Sequence, residues 1–190
     1  KNPRQAIKHR IAFVTENRTK TGLVLCLPVY ENINMVNAQQ PSFAGTLNWS
    51  NLKAIANSHR KTLNIRVSRI EQIVGSLSGG NQQKVALAKW LDFSPEVLIF
   101  DEPTRGIDIG AKTEIYSIMG ELAEGGTAIV MVSSELPELT SVADRVMVLQ
   151  EGRMKGIVSK EKMTQEHVMS LATQNYSEDP VAIPRINRKE

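Results

Sequence analysis

The strongest constraint on this chain is a pair of short strings that lie close together near its middle. The first reads Leu-Ser-Gly-Gly-Asn-Gln-Gln-Lys over residues 77–84, and the second reads Val-Leu-Ile-Phe-Asp-Glu-Pro over residues 97–103. A glycine pair that opens a helix directs backbone amides and the positive end of the helix dipole toward an anion such as phosphate. A short apolar strand that ends in two carboxylates can hold Mg²⁺ and activate water. The two strings therefore predict phosphate and magnesium chemistry.

The residues around these strings alternate between short apolar runs and segments with helical spacing. Apolar runs at 11–14, 97–100 and 128–132 predict strands, and the spacing over 81–91 and 111–122 predicts helices. Short apolar strands that alternate with helices are typical of a parallel sheet with buried central strands. The predicted fold class is therefore α/β.

Three further segments complete the predicted organisation. Helical spacing from Pro28 to Gly75, with Ser50 as an N-cap, predicts a small helical insert. Runs at 146–149 and 154–158 predict a hairpin, and the polar residues 174–190 predict disorder or a loose wrap. The chain is accordingly divided into a first part of the core at 1–27, a helical subdomain at 28–75, the rest of the core at 76–160, and a C-terminal helix and tail at 161–190.

Composition excludes several function classes. The formal net charge of +3 is too small to argue for nucleic acid, and the single cysteine, Cys26, cannot form an internal disulfide. No apolar run approaches the roughly 18 to 20 residues that cross a bilayer, so we expect membrane contact to be peripheral. Lys84, Lys89 and Arg105 are interpreted as a solvated helix face, since no aromatic residues interleave with them, and no nucleic-acid partner is expected.

Three stretches resemble one known family. Residues 77–84 are similar to the signature motif of ATP-binding-cassette (ABC) ATPases, and 101–112 are similar to their Walker B motif and the loop that follows it. With 133–139, they resemble the second cassette of the duplicated ATPase subunit in bacterial importers of ribose, galactose or xylose type. The resemblance covers about residues 6–160. It implies a partial ABC-type core (a RecA-like P-loop NTPase fold) with a helical subdomain and a C-terminal β-hairpin, and it implies ATP and Mg²⁺ as cofactors.

One motif of that family is absent from the sequence. No Gly-x-x-x-x-Gly-Lys-Ser/Thr phosphate loop, or Walker A motif, occurs in the 190 residues. In the family this loop lies a few dozen residues before the segment that resembles 1–14, so the chain is interpreted as a C-terminal fragment that is inactive alone. The strand that feeds the loop would then be missing, and we expect strand 97–100 to lack a neighbour and the fragment to associate with itself.

The resemblance assigns a nucleotide-facing role to the signature residues. Ser78, Gly79, Gly80 and Gln82 would contact the γ-phosphate of ATP that the phosphate loop of an opposing cassette holds. Asp108 would lie on the loop that crosses between paired cassettes and would contact the partner. The simpler alternatives are a turn before a helix for the glycines and an ordinary surface turn for Asp108.

The resemblance also assigns roles to the two carboxylates. Asp101 would bind Mg²⁺ through water, and Glu102 would polarise the attacking water as a general base. The alternative is a pair of ordinary carboxylates at the end of a strand.

Two positions depart from the family pattern. Ser134 occupies the position of the switch histidine, and a hydroxyl cannot make the imidazole contact to the γ-phosphate. Glu16 occupies the position of the loop glutamine and adds negative charge near a triphosphate, which weakens binding. Both departures fit a site with impaired hydrolysis, unless the alignment is shifted by one residue.

The implied function is that of the ATP-hydrolysing component of an ABC sugar importer at the cytoplasmic face of the bacterial inner membrane. Its partners would be a second cassette (in the same polypeptide or another copy), a membrane permease and, indirectly, a periplasmic sugar-binding protein. The insert at 28–75, which opens with Glu31-Asn32, would dock on the permease. The alternatives are a nucleic-acid or ribosome-associated ATPase, which usually carries coiled coils or basic linkers, and a non-catalytic regulatory half.

Overall fold

The computed structural model describes residues 2–36 and 47–173, in two compact units that span 1–133 and 134–190. The predicted polar tail at 174–190 lies outside the described residues. The division into four parts stays a prediction. In the described ranges no helix combines the length and the apolar character needed to cross a membrane.

The first unit is built on a parallel sheet of three strands. The strands are β1 (Ile11–Val14), β2 (Val97–Asp101) and β3 (Ala128–Val132), in the order β1-β2-β3. The predicted strands and the α/β fold class are confirmed. The expectation that β2 lacks a neighbour is wrong, because β1 and β3 pair with it on its two sides.

The two faces of this sheet differ in exposure. Ala12, Val14, Leu98 and Phe100 lie on one face and are at most 2% exposed. On the other face Phe13, Val130 and Val132 are between 44% and 52% exposed. Alternation along a strand places successive side chains on opposite faces. The sheet therefore has one face that is packed within the first unit and one apolar face that is about half exposed among the described residues.

The described residues of the first unit form five α-helices, together with a π-helical turn at Arg18–Gly22 and a 3₁₀ turn at Val74–Ser76. The helices are α1 (Pro3–Lys8), α2 (Val29–Asn34), α3 (Trp49–Thr62), α4 (Gly79–Leu91) and α5 (Ile109–Glu124). The N-cap of α3 is Asn48 and not Ser50 as predicted, since its side chain accepts a hydrogen bond from the Asn51 amide at 3.1 Å.

The start of the helical insert is held by a buried asparagine. Asn32 is fully buried; its Oδ1 accepts from the Val24 amide at 2.8 Å, and its Nδ2 donates to the carbonyls of Val24 and Pro28, each at 3.1 Å. Glu31 accepts a hydrogen bond from the Tyr30 hydroxyl at 2.9 Å. Asn32 thus fastens α2 to the preceding loop, because a buried amide needs its partners inside the protein.

Two lysines of α4 contradict the prediction of a solvated face. Lys84 is 2% exposed and Lys89 is 9% exposed, and α4 is packed on almost every side. The Lys89 ammonium donates to the Gly22 carbonyl at 2.6 Å, and burial lowers its pKa. The apolar stems of both lysines are buried along the helix, so their charges require partners inside the unit. Arg105 is exposed, as predicted.

The second unit holds the predicted hairpin. Its strands β4 (Arg145–Gln150) and β5 (Arg153–Ser159) pair antiparallel, and the turn between them places Glu151 and Gly152 at positive φ, as a two-residue hairpin turn requires. Buried Val146, Val148 and Val158 pack together with Val168. The described residues of this unit also form α6 (Leu136–Val142), a 3₁₀ turn (Lys160–Lys162) and α7 (Gln165–Thr173).

Candidate functional site

The predicted phosphate-facing residues open a helix of 13 residues. Ser78 is the N-cap of α4 and its carbonyl accepts from the Gln82 amide at 2.9 Å. The helix begins at Gly79, two residues before the predicted start. The first amides of an α-helix have no carbonyl partner within the helix and carry the positive end of its dipole. Ser78 is exposed and Gly79 half-buried, so this end of α4 is open to an anion.

Both glycines also permit close packing inside the chain. A Cβ at position 80 would lie 2.5 Å from the Cβ of Ala111 in α5. A Cβ at position 79 would lie 2.7 Å from Nη2 of Arg18 and 3.2 Å from the Gly106 carbonyl oxygen. The contact at position 80 is too short for two atoms that are not bonded, whereas at position 79 the Arg18 side chain and the Gly106 carbonyl would have to move slightly. Glycine at these positions therefore has a packing role, and the phosphate contact stays a prediction.

Arg18 was not identified from the sequence. Its Nη1 donates to the Arg105 carbonyl at 2.9 Å, and burial lowers the pKa of its guanidinium. Next to it, the Glu16 carboxylate forms an ion pair with the Arg105 guanidinium. The structure thus brings Glu16 beside the loop that follows β2, where its negative charge has a positive partner. The loop around Arg18 has no helical or strand periodicity, and no local pattern signalled these contacts.

Gln82 faces into the first unit. It is 8% exposed, and its Nε2 donates to the Val74 carbonyl at 3.3 Å. This side chain links α4 to the 3₁₀ turn before it. Its predicted nucleotide contact stays a prediction, and in this conformation its amide has an internal partner.

Asp108 is the N-cap of α5. Its Oδ1 accepts from the Ala111 amide at 3.0 Å, which satisfies one of the unpaired amides at the start of that helix. The residue is exposed, and together with Ser78 and Gly80 it lines a pocket of about 140 Å³. The structure therefore brings Asp108 close to the signature residues, and it gives the side chain a capping role that the sequence reading had not assigned.

The two carboxylates lie where β2 ends. Asp101 is the last residue of the strand, and Glu102 follows it with φ of +47°, a conformation that residues other than glycine rarely adopt. The Glu102 amide donates to the Val132 carbonyl at 2.9 Å and fixes this turn to the end of β3. Both residues are half-buried. The positive φ of Glu102 turns the chain immediately after the strand.

The oxygen donors of this turn fit Mg²⁺ only in part. Mg²⁺ prefers oxygen ligands and keeps several waters, with one or two carboxylates and substrate phosphates completing its shell. Across 2–36 and 47–173, no group of three or more histidine, cysteine or acidic side chains could hold a metal ion. The two carboxylates alone therefore do not complete a shell for Mg²⁺, and the ion would depend on water and phosphate for its other ligands.

Ser134 begins the second unit and is exposed. The carboxylates Asp101 and Glu102, like Glu16, belong to the first unit. The predicted role of Ser134 at the switch position stays a prediction.

A network of charged and amide side chains behind the signature residues was missed by sequence reasoning. Glu114 of α5 forms ion pairs with the buried Lys84 and, at 2.8 Å, with the Arg66 guanidinium. The Lys84 hydrogen bond holds the pKa of Glu114 below its ordinary value. Asn81 accepts from the Arg66 backbone amide at 2.8 Å. Since these partners lie 15 to 48 residues apart, no local spacing could reveal them.

Comparisons with known proteins give a consistent result. A family model described as ABC transporter matches residues 1–105. The ribose import ATP-binding protein RbsA of Lactococcus lactis subsp. lactis is 51% identical over 172 residues, which are 90% of this chain and 35% of that protein. The protein of the same name from Bacillus cereus is 49% identical over the same shares of the two chains. The chain thus spans about a third of the length of these relatives.

A solved structure agrees with the fold. An ATP-binding cassette, determined as a dimer in a post-hydrolysis state bound to ADP and Pi, superposes with a TM-score of 0.69. The match covers 84% of this chain and 68% of that one at 21% sequence identity. At this identity the likeness shows the fold alone, which is that of a partial ABC ATPase core.

Proposed function

This chain belongs to the ABC transporter family, and from that premise we propose that it forms part of the ATP-hydrolysing subunit of an importer for a ribose-type monosaccharide. One observation carries the proposal. A chain about half identical to ribose import ATP-binding proteins places Ser78-Gly79-Gly80 at the open N-terminus of a long helix, beside Asp108. Phosphate binding at such a helix end is supported by both the amides and the dipole.

The signature residues complete a site that an opposing cassette begins. The Ser78 hydroxyl and the amides that follow it contact the γ-phosphate of ATP held by the phosphate loop of that cassette. Asp108 contacts the same partner from the start of α5. The exposure of Ser78 and Asp108 supports this arrangement, because each can meet a partner without rearrangement of its own helix.

The carboxylates act on the nucleotide of their own cassette. Asp101 holds Mg²⁺ through water, and Glu102 accepts a proton from the attacking water. When bound, Mg²⁺ neutralises charge on the phosphates. The half-buried position of both carboxylates at the strand end supports these roles, since a water-poor site strengthens electrostatic interactions.

A second candidate function, a non-catalytic regulatory half, is favoured by two residues. Ser134 lacks the imidazole of the switch position, and Glu16 replaces an amide by a charge. The ion pair of Glu16 with Arg105 supports a milder effect than sequence alone predicts, because the negative charge is compensated. In either case the Ser78 surface serves the partner cassette.

The assembly follows from the importer proposal. The partners are a second cassette, a membrane permease that the subdomain at 28–75 contacts, and a periplasmic sugar-binding protein that acts through the permease. The location is the cytoplasmic face of the inner membrane. The cofactors are ATP and Mg²⁺.

The proposal is tested by phosphate release in two proteins. The full-length subunit should hydrolyse MgATP, and Ser78→Ala should lower kcat by about tenfold or more, because a hydrogen bond to a charged group is lost. The 190 residues alone should release phosphate at background rate, since no phosphate loop lies within them. Turnover by these residues that Glu102→Gln removes would overturn the account of the fragment. A full-length subunit without turnover would overturn the proposed function.

A further inference from the structure

Asn81, in the first turn of α4, makes two side-chain hydrogen bonds. Its Oδ1 accepts from the Arg66 backbone amide at 2.8 Å, and its Nδ2 lies 2.9 Å from Oγ of Ser78. A backbone N–H can only donate, so the atom that faces it must be the amide oxygen. This fixes the orientation of the Asn81 amide, because the alternative places NH₂ against N–H.

The orientation of Asn81 decides what the Ser78 hydroxyl can do. Nδ2 of Asn81 has hydrogens and no lone pair to offer, so Oγ of Ser78 is the acceptor in this bond. Within the described residues the Ser78 hydroxyl makes no other hydrogen bond. Its own hydrogen is therefore left to donate to a group outside the chain, and a phosphate oxygen is such an acceptor.

The Arg66 segment that orients Asn81 is itself held in place. The Arg66 guanidinium pairs with Glu114 at 2.8 Å, and Glu114 also pairs with Lys84, which is 2% exposed. The Lys84 ammonium donates to the Asn64 carbonyl at 2.9 Å, two residues before Arg66. Arg66 and Asn81 thus lie in one connected network that lines the pocket beside Ser78.

We propose that Asn81 is a positioning residue: it donates to Oγ of Ser78 and so directs the Ser78 hydroxyl hydrogen toward the γ-phosphate of the nucleotide. The inference rests on the proposed function for the identity of the phosphate. Asn81 itself does not touch the nucleotide in this account. It acts through the direction of one hydrogen bond.

The discriminating variant is Asn81→Asp in the full-length subunit. The new carboxylate has nearly the same shape and still accepts from the Arg66 amide, but it cannot donate to Ser78. The hydroxyl then donates to the carboxylate and is lost to the phosphate. We expect kcat to fall about tenfold or more. The thermal unfolding midpoint should stay within about 2 °C of wild type, because a substitution that keeps the shape of the side chain usually changes stability by only a few tenths of a kcal/mol. Gln5→Glu on α1, which also turns an exposed side-chain amide into a carboxylate, is the matched control and should leave kcat unchanged.

A double-variant cycle separates orientation from charge. If Asn81 acts through Ser78, Asn81→Asp should lower kcat much less in a Ser78→Ala background, because no hydroxyl remains to be turned. An equal fall in both backgrounds would assign the effect to the new negative charge and overturn the proposal, as would an unchanged kcat in the single variant.

A measurement on the 190-residue chain tests the bond without any activity. The side-chain NH₂ resonances of Asn81 in a ¹⁵N NMR spectrum should shift when Ser78 is replaced by alanine and should not shift for the control Ser50→Ala on α3. Unshifted Asn81 resonances in Ser78→Ala would refute the inference even if the proposed function stands. If the Asn81 resonances shift but the full-length subunit shows no ATP turnover, the hydrogen bond between Asn81 and Ser78 is supported and its proposed role toward a nucleotide is refuted.

Discussion

Replacement of Glu114 by glutamine should destabilise the first unit. The change removes the counter-charge of Lys84, whose side chain is 2% exposed, and keeps the shape of the side chain. Loss of one partner from a buried ion pair costs about 3 to 5 kcal/mol. Glu114 is 35% exposed, and Lys84 retains the Asn64 carbonyl at 2.9 Å. Solvent screening and this second bond reduce the expected loss to about 2 kcal/mol of unfolding free energy.

The measurement is urea unfolding of the 190-residue chain at pH 7, with Glu124→Gln as the control on the same helix. Glu124 is exposed near the end of α5, and its replacement should change the unfolding free energy by less than about 0.5 kcal/mol. A Glu114→Gln midpoint equal to that of Glu124→Gln would refute the reasoning, because Lys84 would then be stable without its counter-charge.

The pH dependence gives a second check on the same pair. Lys84 holds the pKa of Glu114 below its ordinary value of 4.5. A carboxylate whose pKa is lower in the folded state contributes stability above its unfolded pKa and loses it as the pH falls through the folded pKa. The difference between wild type and Glu114→Gln should therefore be constant from pH 7 to about pH 5 and shrink below pH 4.5. Shrinkage already between pH 7 and pH 5 would contradict this assignment.

Two further predictions concern packing and association. Gly80→Ala should lower the unfolding free energy by about 1 to 3 kcal/mol in urea, since the new Cβ would lie 2.5 Å from the Cβ of Ala111. Gly120→Ala in α5, with open space around it, should instead raise the unfolding free energy by up to about 1 kcal/mol. Equal effects of the two substitutions would refute the packing argument. The sheet face with Val130 and Val132 about half exposed should promote self-association, and light scattering that shows a clean monomer at micromolar concentration would contradict it.

Local sequence patterns predict the ends of a helix or strand correctly where the residues of that element alone determine them. The strands 11–14 and 128–132 were predicted to the residue, because an apolar run between turn signals leaves little choice. The start of α4 was placed two residues late. Glycine has low helix propensity, and in α4 the contact of Gly80 with Ala111 overrides that preference.

The charges were predicted least well, since their partners are distant in sequence. The sequence predicts a solvated Lys84, because lysines on helices usually are solvated, yet this lysine is buried against Glu114, 30 residues later. Arg18 bonds to the carbonyl of Arg105, 87 residues away. The sequence indicates residue types that bind phosphate, whereas the packing of α4 on α5 determines which other side chains fix those residues in position.

The close approach of α4 and α5 decides how the proposed site can be studied. Gly79 admits Arg18 and Gly80 admits Ala111, so the start of α4 lies against the segment that carries Asp108. A substitution at either glycine disturbs this packing before it meets any phosphate, and its loss of activity would not distinguish the two causes. A substitution of Ser78 avoids this ambiguity, because its side chain is exposed and does not fill space between the helices. Ser78 is therefore the position at which phosphate contact can be measured separately from folding, and Asn81 affects that contact through its hydrogen bond to the Ser78 hydroxyl.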